Sequence, residues 1–313
     1  MFKLPNREIR FEVTNLCNAE CVFCPRDRQT RKQSIMDFGM FKKWFDEIHD
    51  NDYGIDFVSL EGFGEPFIDP HLFERAKYVK DRGYFTSVVS TGSLWDRKLQ
   101  GVDTIEYILK YIDKVRISHY GMTSDVYEEL QKNLKFERVV KNIEELFSRR
   151  GDKKSPRIEM YYLLMPENEH QLDDWLEKWE PLADGVSVWK PHNWGGTGRE
   201  YREIKKENRR SCGRPFNGPF QIQWNGNVIP CCLDYDGEIS LGNVNSNTIQ
   251  EVFNSKEYED FREAHRSGNF EKYSFCDNCD QLQEEETEIL VYSNIEGSSV
   301  GSVNSSYDAL QVG

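Results

Sequence analysis

The sequence predicts an α/β fold in which a mostly parallel sheet is followed by a smaller C-terminal unit. Over the first 190 residues, segments that alternate like strands and segments with the 3.6-residue apolar period of helices follow one another about six times. Such alternation is typical of a parallel sheet with right-handed crossovers, either open or curled into a barrel. In both forms, functional residues are expected at the carboxyl ends of the strands.

The first strand is predicted at residues 7–13, where polar and apolar side chains alternate. The helix after it has one apolar stripe, formed by Phe41, Trp44, Phe45 and Ile48. Asp69 and Pro70 predict the N-cap and first residue of a second helix that reaches about residue 82. Further strands are predicted at 56–60, 84–89, 114–118, 157–164 and 185–190, and further helices around 103–112, 135–149 and 169–180.

The pattern changes at the Gly-rich stretch 192–199, which we interpret as a boundary. Residues 220–233 predict a hairpin around the turn Asn225-Gly226. Thr248 and Glu251 form a capping-box pattern for a helix that reaches about residue 265. The predicted regions are therefore 1–195, 196–283, and an acidic, Gly/Ser-rich flexible tail at 284–313.

Composition excludes several classes of protein. Of the 313 residues 38% are apolar and 13% aromatic, which argues against disorder for most of the chain. The net charge of −14 disfavours binding to nucleic acid and fits a cationic or neutral substrate better. Neither a membrane span nor an apolar secretory signal is found in the sequence. We therefore expect a cytoplasmic protein with reduced thiols.

Cys17, Cys21 and Cys24 place three thiols on one loop after the first strand. A disulfide would leave one thiol over, and a reducing compartment disfavours it. Zinc normally takes four ligands, and no fourth Cys or His lies nearby, since His49 is the first histidine. Three thiolates suit a four-iron cluster that keeps one iron open for an amino-acid-like cofactor.

This spacing, with Phe23 before the last cysteine, resembles the signature of the radical S-adenosylmethionine (SAM) enzymes. The resemblance implies a partial (β/α)6 TIM-like barrel over roughly residues 7–195, with a small C-terminal hairpin and helix domain for a second iron–sulfur cluster. It also implies that Cys17, Cys21 and Cys24 hold a 4Fe–4S cluster to which SAM binds.

Further residues acquire roles through the same resemblance. Gly62 and Gly64 match the family's Gly-Gly-Glu turn, where Glu65 would receive the SAM amino group. Thr91 stands in a turn that contacts ribose and carboxylate in the family, although the family usually has Asn there. Ser118 resembles another ribose or carboxylate contact, and Phe23 would lie against adenine.

A second set of thiols consists of Cys212, Cys231, Cys276 and Cys279. Their spacing alone would suit zinc or iron equally. The pattern of Cys212, Gly226 and Cys231 resembles the SPASM extension of radical SAM enzymes, and the absence of its later cysteines resembles the truncated "twitch" subclass. That resemblance implies one auxiliary 4Fe–4S cluster with four Cys ligands. Cys232 points to the opposite face of its strand and is predicted to be a small buried side chain.

The resemblance implies an enzyme that generates a 5′-deoxyadenosyl radical from SAM and takes hydrogen from an unactivated C–H bond. The chain is most similar to family members that oxidise a secondary alcohol of an aminocyclitol, so the first hypothesis is an oxidoreductase for a small sugar- or cyclitol-like substrate. Modification of a peptide or protein (epimerisation, crosslinking or maturation) is the alternative within the family. A zinc-binding structural or interaction protein is the alternative of another class.

The expected partners are a polar small molecule or a peptide, and a reducing electron donor such as flavodoxin or ferredoxin, with neither nucleic acid nor membrane. The catalytic residue itself is left open. Side chains at predicted strand ends that could contact substrate or accept a proton are His119, Tyr120, Lys190, His192 and Arg214, with Trp194 near the boundary.

Overall fold

The structure is a computed structural model, and it describes residues 2–196, 200–201, 203–282 and 289–295. Its main sheet contains β1 (Glu8–Phe11), β2 (Phe57–Ser59), β3 (Phe85–Ser90), β4 (Lys114–Ser118), β5 (Arg157–Leu163), β6 (Gly185–Trp189), β7 (Phe220–Ile222), β8 (Val228–Ile229) and β9 (Leu290–Ser293). The order across the sheet is β8-β7-β1-β2-β3-β4-β5-β6-β9. β1 to β6 are neighbours in chain order and all parallel, as predicted for the partial (β/α)6 barrel.

Ten α-helices accompany this sheet in the described residues. They are α1 (Phe38–Asn51), α2 (Leu72–Lys80), α3 (Thr104–Tyr111), α4 (Ser124–Leu130), α5 (Phe136–Arg150), α6 (Leu172–Trp179), α7 (Arg214–Asn217), α8 (Ile249–Phe253), α9 (Lys256–Ser267) and α10 (Ser274–Asp277). Asp37 caps α1 by accepting a hydrogen bond from the Met40 amide. The apolar stripe of α1 is fully buried, as its spacing predicts, and Phe41 contacts Phe11 of β1.

Polar and apolar side chains alternate along the strands, and the polar ones face the interior of the barrel. Ile9 and Phe11 pack into the apolar core that lies towards the helices. Glu8 points the other way and accepts a hydrogen bond from Ser59 of β2, whose hydroxyl also bonds that of Ser87 in β3. This alternation lets helices cover the outside of the sheet while its inner face stays polar.

Two helix boundaries differ from the prediction. α2 begins after His71 and not at Pro70, although one carboxylate oxygen of Asp69 accepts a hydrogen bond from the His71 amide at 2.9 Å while the other forms a buried ion pair with Arg75 at 2.7 Å. The helix predicted from Thr248 to residue 265 has the expected capping box but is broken in two, since Ser255 caps a new helix, α9.

The second predicted region joins the main sheet, because β7 pairs in parallel with β1 and forms a hairpin with β8. The prediction of a flexible tail is wrong at Leu290–Ser293, where β9 pairs antiparallel with β6. The other residues of that predicted tail, 284–288 and 296–313, lie outside the described residues. In the part of the chain that the structure describes, each helix is too short or too polar to cross a bilayer.

Candidate functional site

The loop that follows β1 carries the first three thiols and packs against the turn that follows β2. The Glu65 amide donates to the Leu16 carbonyl at 2.8 Å. A Cβ on Gly64 would lie 2.3 Å from that carbonyl oxygen, and one on Gly62 would lie 2.3 Å from Cγ of Glu12. Both positions therefore need glycine for close approach, not for an unusual φ angle.

Cys17, Cys21 and Cys24 are partly buried and lie close enough to interact electrostatically. Burial, followed by the charge of Glu65, raises the pKa of Cys17 to about 11. Burial and the two neighbouring thiols raise the pKa of Cys21 well above its ordinary value. The protein alone thus disfavours the thiolates, and the cationic irons of a cluster would supply the missing stabilisation. The donor set therefore fits a 4Fe–4S cluster.

Glu65 is almost fully buried, with 2% of its surface exposed. Its carboxylate accepts hydrogen bonds from the Ser90 hydroxyl at 2.9 Å, the Thr91 amide at 3.0 Å and the Thr91 hydroxyl at 3.1 Å. The Phe67 amide is a fourth donor at 3.4 Å. Burial raises the pKa of Glu65. These donors hold the carboxylate between the ends of β2 and β3, and the amino group of SAM would be a further partner.

The remaining residues assigned to SAM lie around the same strand ends. The Phe23 ring is 5.1 Å from the ring of Tyr120, and its carbonyl accepts a hydrogen bond from the Trp194 indole at 2.9 Å. Thr91 bonds Glu65, as described above. Ser118 ends β4, and its carbonyl accepts from the Gln131 amide at 3.2 Å. Trp194 therefore links the boundary segment to the first thiol loop.

The second thiol set assembles near Arg214, from three segments that are distant in sequence. Arg214 interacts electrostatically with thiols of this set, and so does Cys276. Burial, followed by the charge of Asp280, raises the pKa of Cys279 to about 12. Burial also raises the pKa of Cys276. The members of the set are Cys212, Cys231, Cys276 and Cys279.

Among the described residues, no three His, Cys, Asp or Glu side chains converge as the ligands of one metal ion would. In a four-iron cluster each thiolate binds a different iron, so wider spacing is required.

A cavity of about 250 Å³ lies between the two thiol sets. Tyr120 lines it from the first set, since its ring contacts Phe23 and its hydroxyl interacts with Cys21. Arg214 and Cys232 line it from the second set. Cys232 is therefore half-buried at the cavity wall, whereas the sequence predicts a small buried side chain.

Four of the five candidate substrate contacts line this cavity, namely Tyr120, Lys190, His192 and Arg214. The structure contradicts the fifth. His119 is completely buried, and its Nδ1 accepts a hydrogen bond from the Trp175 indole at 3.3 Å. Burial lowers the pKa of His119 to about 3, which makes it a neutral core histidine.

A buried ion-pair network on the inner face of the barrel was missed by sequence reasoning. Arg10 pairs with Glu8 at 2.7 Å and with Glu61 at 3.6 Å, and Arg116 lies 3.7 Å from Glu61 and 3.8 Å from Glu159. Both arginines line the cavity. The sequence does contain a pattern that could have predicted this network, because two otherwise apolar strands carry a charge at every second position. The charged positions are 8, 10 and 12 of the first strand region and 114 and 116 of β4.

Two protein-family models match the chain. The model of the radical SAM superfamily matches residues 11–178, and the model of the SPASM iron–sulfur cluster-binding domain matches residues 199–280. These matches confirm both families that the cysteine spacing predicts.

Curated relatives have different activities. The chain is 23% identical to the S-adenosyl-L-methionine-dependent 2-deoxy-scyllo-inosamine dehydrogenase of Niallia circulans, over 88% of this chain and 92% of that protein. It is also 23% identical to the tungsten-containing aldehyde ferredoxin oxidoreductase cofactor-modifying protein of Pyrococcus furiosus, over 80% of this chain and 82% of that protein.

A solved structure confirms the fold. Streptococcus suis SuiB bound to its precursor peptide SuiA superimposes with a TM-score of 0.64 and 16% identity, over 88% of this chain and 70% of that one. At this identity the likeness concerns the α/β architecture alone.

Proposed function

The chain belongs to the radical SAM superfamily, and from that premise we propose that it oxidises a secondary alcohol of a small sugar- or cyclitol-like substrate. A radical SAM domain binds SAM and a 4Fe–4S cluster, and a SPASM domain binds an auxiliary iron–sulfur cluster. The observation that carries the proposal is the cavity of about 250 Å³ between the two thiol sets. Its volume suits a small molecule, and its lining includes Tyr120, which interacts with Cys21 of the first set, and Arg214, which interacts with thiols of the second.

On the barrel side, Cys17, Cys21 and Cys24 would hold the first cluster. When bound there, the cluster and SAM supply a 5′-deoxyadenosyl radical that takes a hydrogen atom from a C–H bond. The chain contributes position, because the close contact of Gly64 with the thiol loop fixes that loop against the ends of β2 and β3. The backbone at Gly62 and Gly64, with Glu65, would receive the amino group of SAM.

Around this core, Phe23, Thr91 and Ser118 would contact the nucleoside and carboxylate parts of SAM. Phe23 is held by the hydrogen bond from Trp194, and Thr91 by its bonds to Glu65. These contacts connect the strand ends with the boundary segment, so they also help to exclude water from the cavity.

On the opposite side, Cys212, Cys231, Cys276 and Cys279 would hold one auxiliary 4Fe–4S cluster with no open iron. Such a cluster would supply an acceptor for the second electron of an alcohol oxidation. Arg214 interacts with these thiols and would offset part of the negative charge that four thiolates bring.

Oxidation of an alcohol also requires that its hydroxyl proton leave. Within the described lining of the cavity, His192 is the only imidazole, and an imidazole can accept a proton near neutral pH. We therefore assign His192 as the proton acceptor. The enzyme would further need a reducing electron donor such as flavodoxin or ferredoxin, and a reducing compartment such as the cytoplasm suits its seven ligand thiols.

Modification of a peptide is the second candidate, because the fold is shared with a protein that was solved with a precursor peptide bound. The zinc-binding alternative is not retained, since both matching families are defined by SAM and iron–sulfur chemistry.

Anaerobic reconstitution with iron and sulfide tests the proposal. We expect about eight irons per chain and reductive cleavage of SAM. Replacement of Cys17, Cys21 and Cys24 by Ala should abolish cleavage, whereas replacement of Cys276 and Cys279 should leave some cleavage but stop substrate turnover. A colourless protein that binds zinc and leaves SAM intact would refute the assignment.

The substrate is identified by transfer of deuterium into 5′-deoxyadenosine. Labelled sugars and cyclitols are compared with labelled peptides of similar polarity. Transfer from a ring carbon that bears a hydroxyl supports alcohol oxidation, and transfer only from a peptide Cα or side chain supports the second candidate.

A further inference from the structure

The charge of the cavity is opposite to the charge of the chain. The chain carries −14 overall, but the cavity between the thiol sets is lined by Arg10, Arg116, Lys190 and Arg214. In the described part of the chain, no Asp or Glu lines this cavity. Acidic side chains line an adjoining cavity instead, which shares Arg10 and Cys232 with this one and contains Glu12, Glu61 and Asp234.

The carboxylates that balance two of these cations lie behind the cavity wall. Glu8 and Glu159 are fully buried and pair with Arg10 and Arg116, respectively, and the buried Glu61 lies near both arginines. The two guanidinium groups are thus held in place from one side while they border the cavity on the other. Arginines that are fixed in this way lose little side-chain freedom when they bind an anion.

The two other cations approach from outside the barrel interior. Lys190 follows β6, and its ammonium has no ion-pair partner among the described residues. Arg214 begins α7, and its buried Nε has no hydrogen-bond partner in the described chain. Each can donate hydrogen bonds to an oxyanion, and Tyr161 at the same cavity adds a hydroxyl.

A cationic ligand in this cavity would have like charges on several sides and no carboxylate to bind. An anionic ligand would gain charge-assisted hydrogen bonds in a partly desolvated site. We propose that the substrate carries an anionic group, a carboxylate or a phosphate, which binds among Lys190, Arg214, Arg10 and Arg116. This inference rests on the proposed function for the identity of the cavity as the substrate site, and it replaces the expectation of a cationic or neutral substrate.

The methionyl carboxylate of SAM is a second anionic group that these cations could bind. Gly62 lines the adjoining cavity that shares Arg10 and Cys232 with this one, whereas Lys190 and Arg214 line this cavity and not the adjoining one. We therefore assign the anion to the substrate, and the test separates the two sources.

The test uses the reconstituted holoenzyme and four hexoses of similar size: glucose 6-phosphate, glucuronate, glucose and glucosamine. Binding is measured by calorimetry at low ionic strength, with and without SAM. We expect the two anions to bind at least about 10-fold more tightly than glucose, and glucosamine to bind most weakly. Lys190→Met should weaken binding of the anions about 10-fold, whereas Lys43→Met, which removes an exposed lysine of α1, should not.

Equal or tighter binding of glucose or glucosamine would overturn the inference while the proposed function stands. A loss of SAM affinity in Lys190→Met, with anion binding unchanged, would assign the charge to the carboxylate of SAM and also overturn it. Reductive cleavage of SAM is measured on the same wild-type preparation. If cleavage is absent, the proposed function fails, and the binding series still decides whether the cavity selects anions, because it requires no turnover.

Discussion

Replacement of Gly64 by Ala should uncouple the thiol loop from the rest of the site. An added Cβ would lie 2.3 Å from the Leu16 carbonyl oxygen, 2.7 Å from that of Thr14 and 2.9 Å from the Asn15 carbonyl carbon. These three atoms are backbone, so no side chain can rotate away. Contact at an ordinary 3.4 Å requires the loop to move by about 1 Å.

A displacement of this size affects chemistry more than stability. Overpacking of this kind costs about 1–3 kcal/mol of folding free energy, whereas misplacement of reacting groups by about 1 Å can cost about 100-fold in rate. We therefore expect formation of 5′-deoxyadenosine to fall about 100-fold in a variant that still folds. Chromatographic assay of 5′-deoxyadenosine, iron analysis and thermal unfolding measure the three quantities separately.

The matched control is Gly39→Ala. Gly39 lies in α1, and its added Cβ would meet only Oδ1 of Asp37, at 3.0 Å, which is the end of a side chain. Alanine is the better helix former by about 1 kcal/mol, so this variant should keep wild-type activity and stability. If Gly64→Ala cleaved SAM at the wild-type rate with full iron content, the loop contact would have no role in positioning, and the reasoning would be refuted.

Three further predictions concern the cluster ligands and the core. Arg214→Gln should lower the reduction potential of the auxiliary cluster by on the order of 100 mV, because it removes a nearby positive charge. Arg214→Lys keeps that charge and should keep most of the wild-type potential. A redox titration followed by electron paramagnetic resonance measures both potentials. Iron analysis of Cys231→Ala should show a loss of about four irons per chain, and that of Cys232→Ala should show no loss. The reverse result would make Cys232 the cluster ligand in place of Cys231. Burial lowers the pKa of His119 to about 3, while the unfolded chain keeps the ordinary value of 6.5. The unfolded state therefore binds more protons below about pH 6.5, and stability falls as the pH is lowered. Between pH 7.5 and 5.5 this loss is about 1.4 kcal/mol, and urea unfolding of His119→Phe should show a pH dependence weaker by that amount.

Much of the fold was predictable because it depends on local patterns. The stripe of α1 and the alternation of β4 both follow from spacing within one segment, and the structure has them where they are predicted. Asp69 shows the limit of such reasoning. Its position before Pro70 is typical of an N-cap, and its carboxylate does accept a hydrogen bond from the His71 amide, but its ion pair with the buried guanidinium of Arg75 is visible only in three dimensions.

The candidate site, too, has features that the sequence predicts and features that only the tertiary structure decides. His119 and Tyr120 are adjacent in sequence and both follow β4, so the sequence makes them equal candidates. The structure buries His119 among aromatic side chains and leaves Tyr120 at the cavity. Neighbouring residues of an extended segment point to opposite sides, and only the packed helices determine which side is core.

By itself, the sequence determined the family of the protein, because three thiols within eight residues carry the spacing of the radical SAM signature without help from distant parts of the chain. The tertiary structure alone decided the charge of the cavity. Arg10, Arg116, Lys190 and Arg214 come from four segments separated by up to two hundred residues, and the parallel sheet brings them to one place. Net charge is a sum over the whole surface, whereas a ligand interacts with the few side chains around it, since charge effects fall off within about a Debye length.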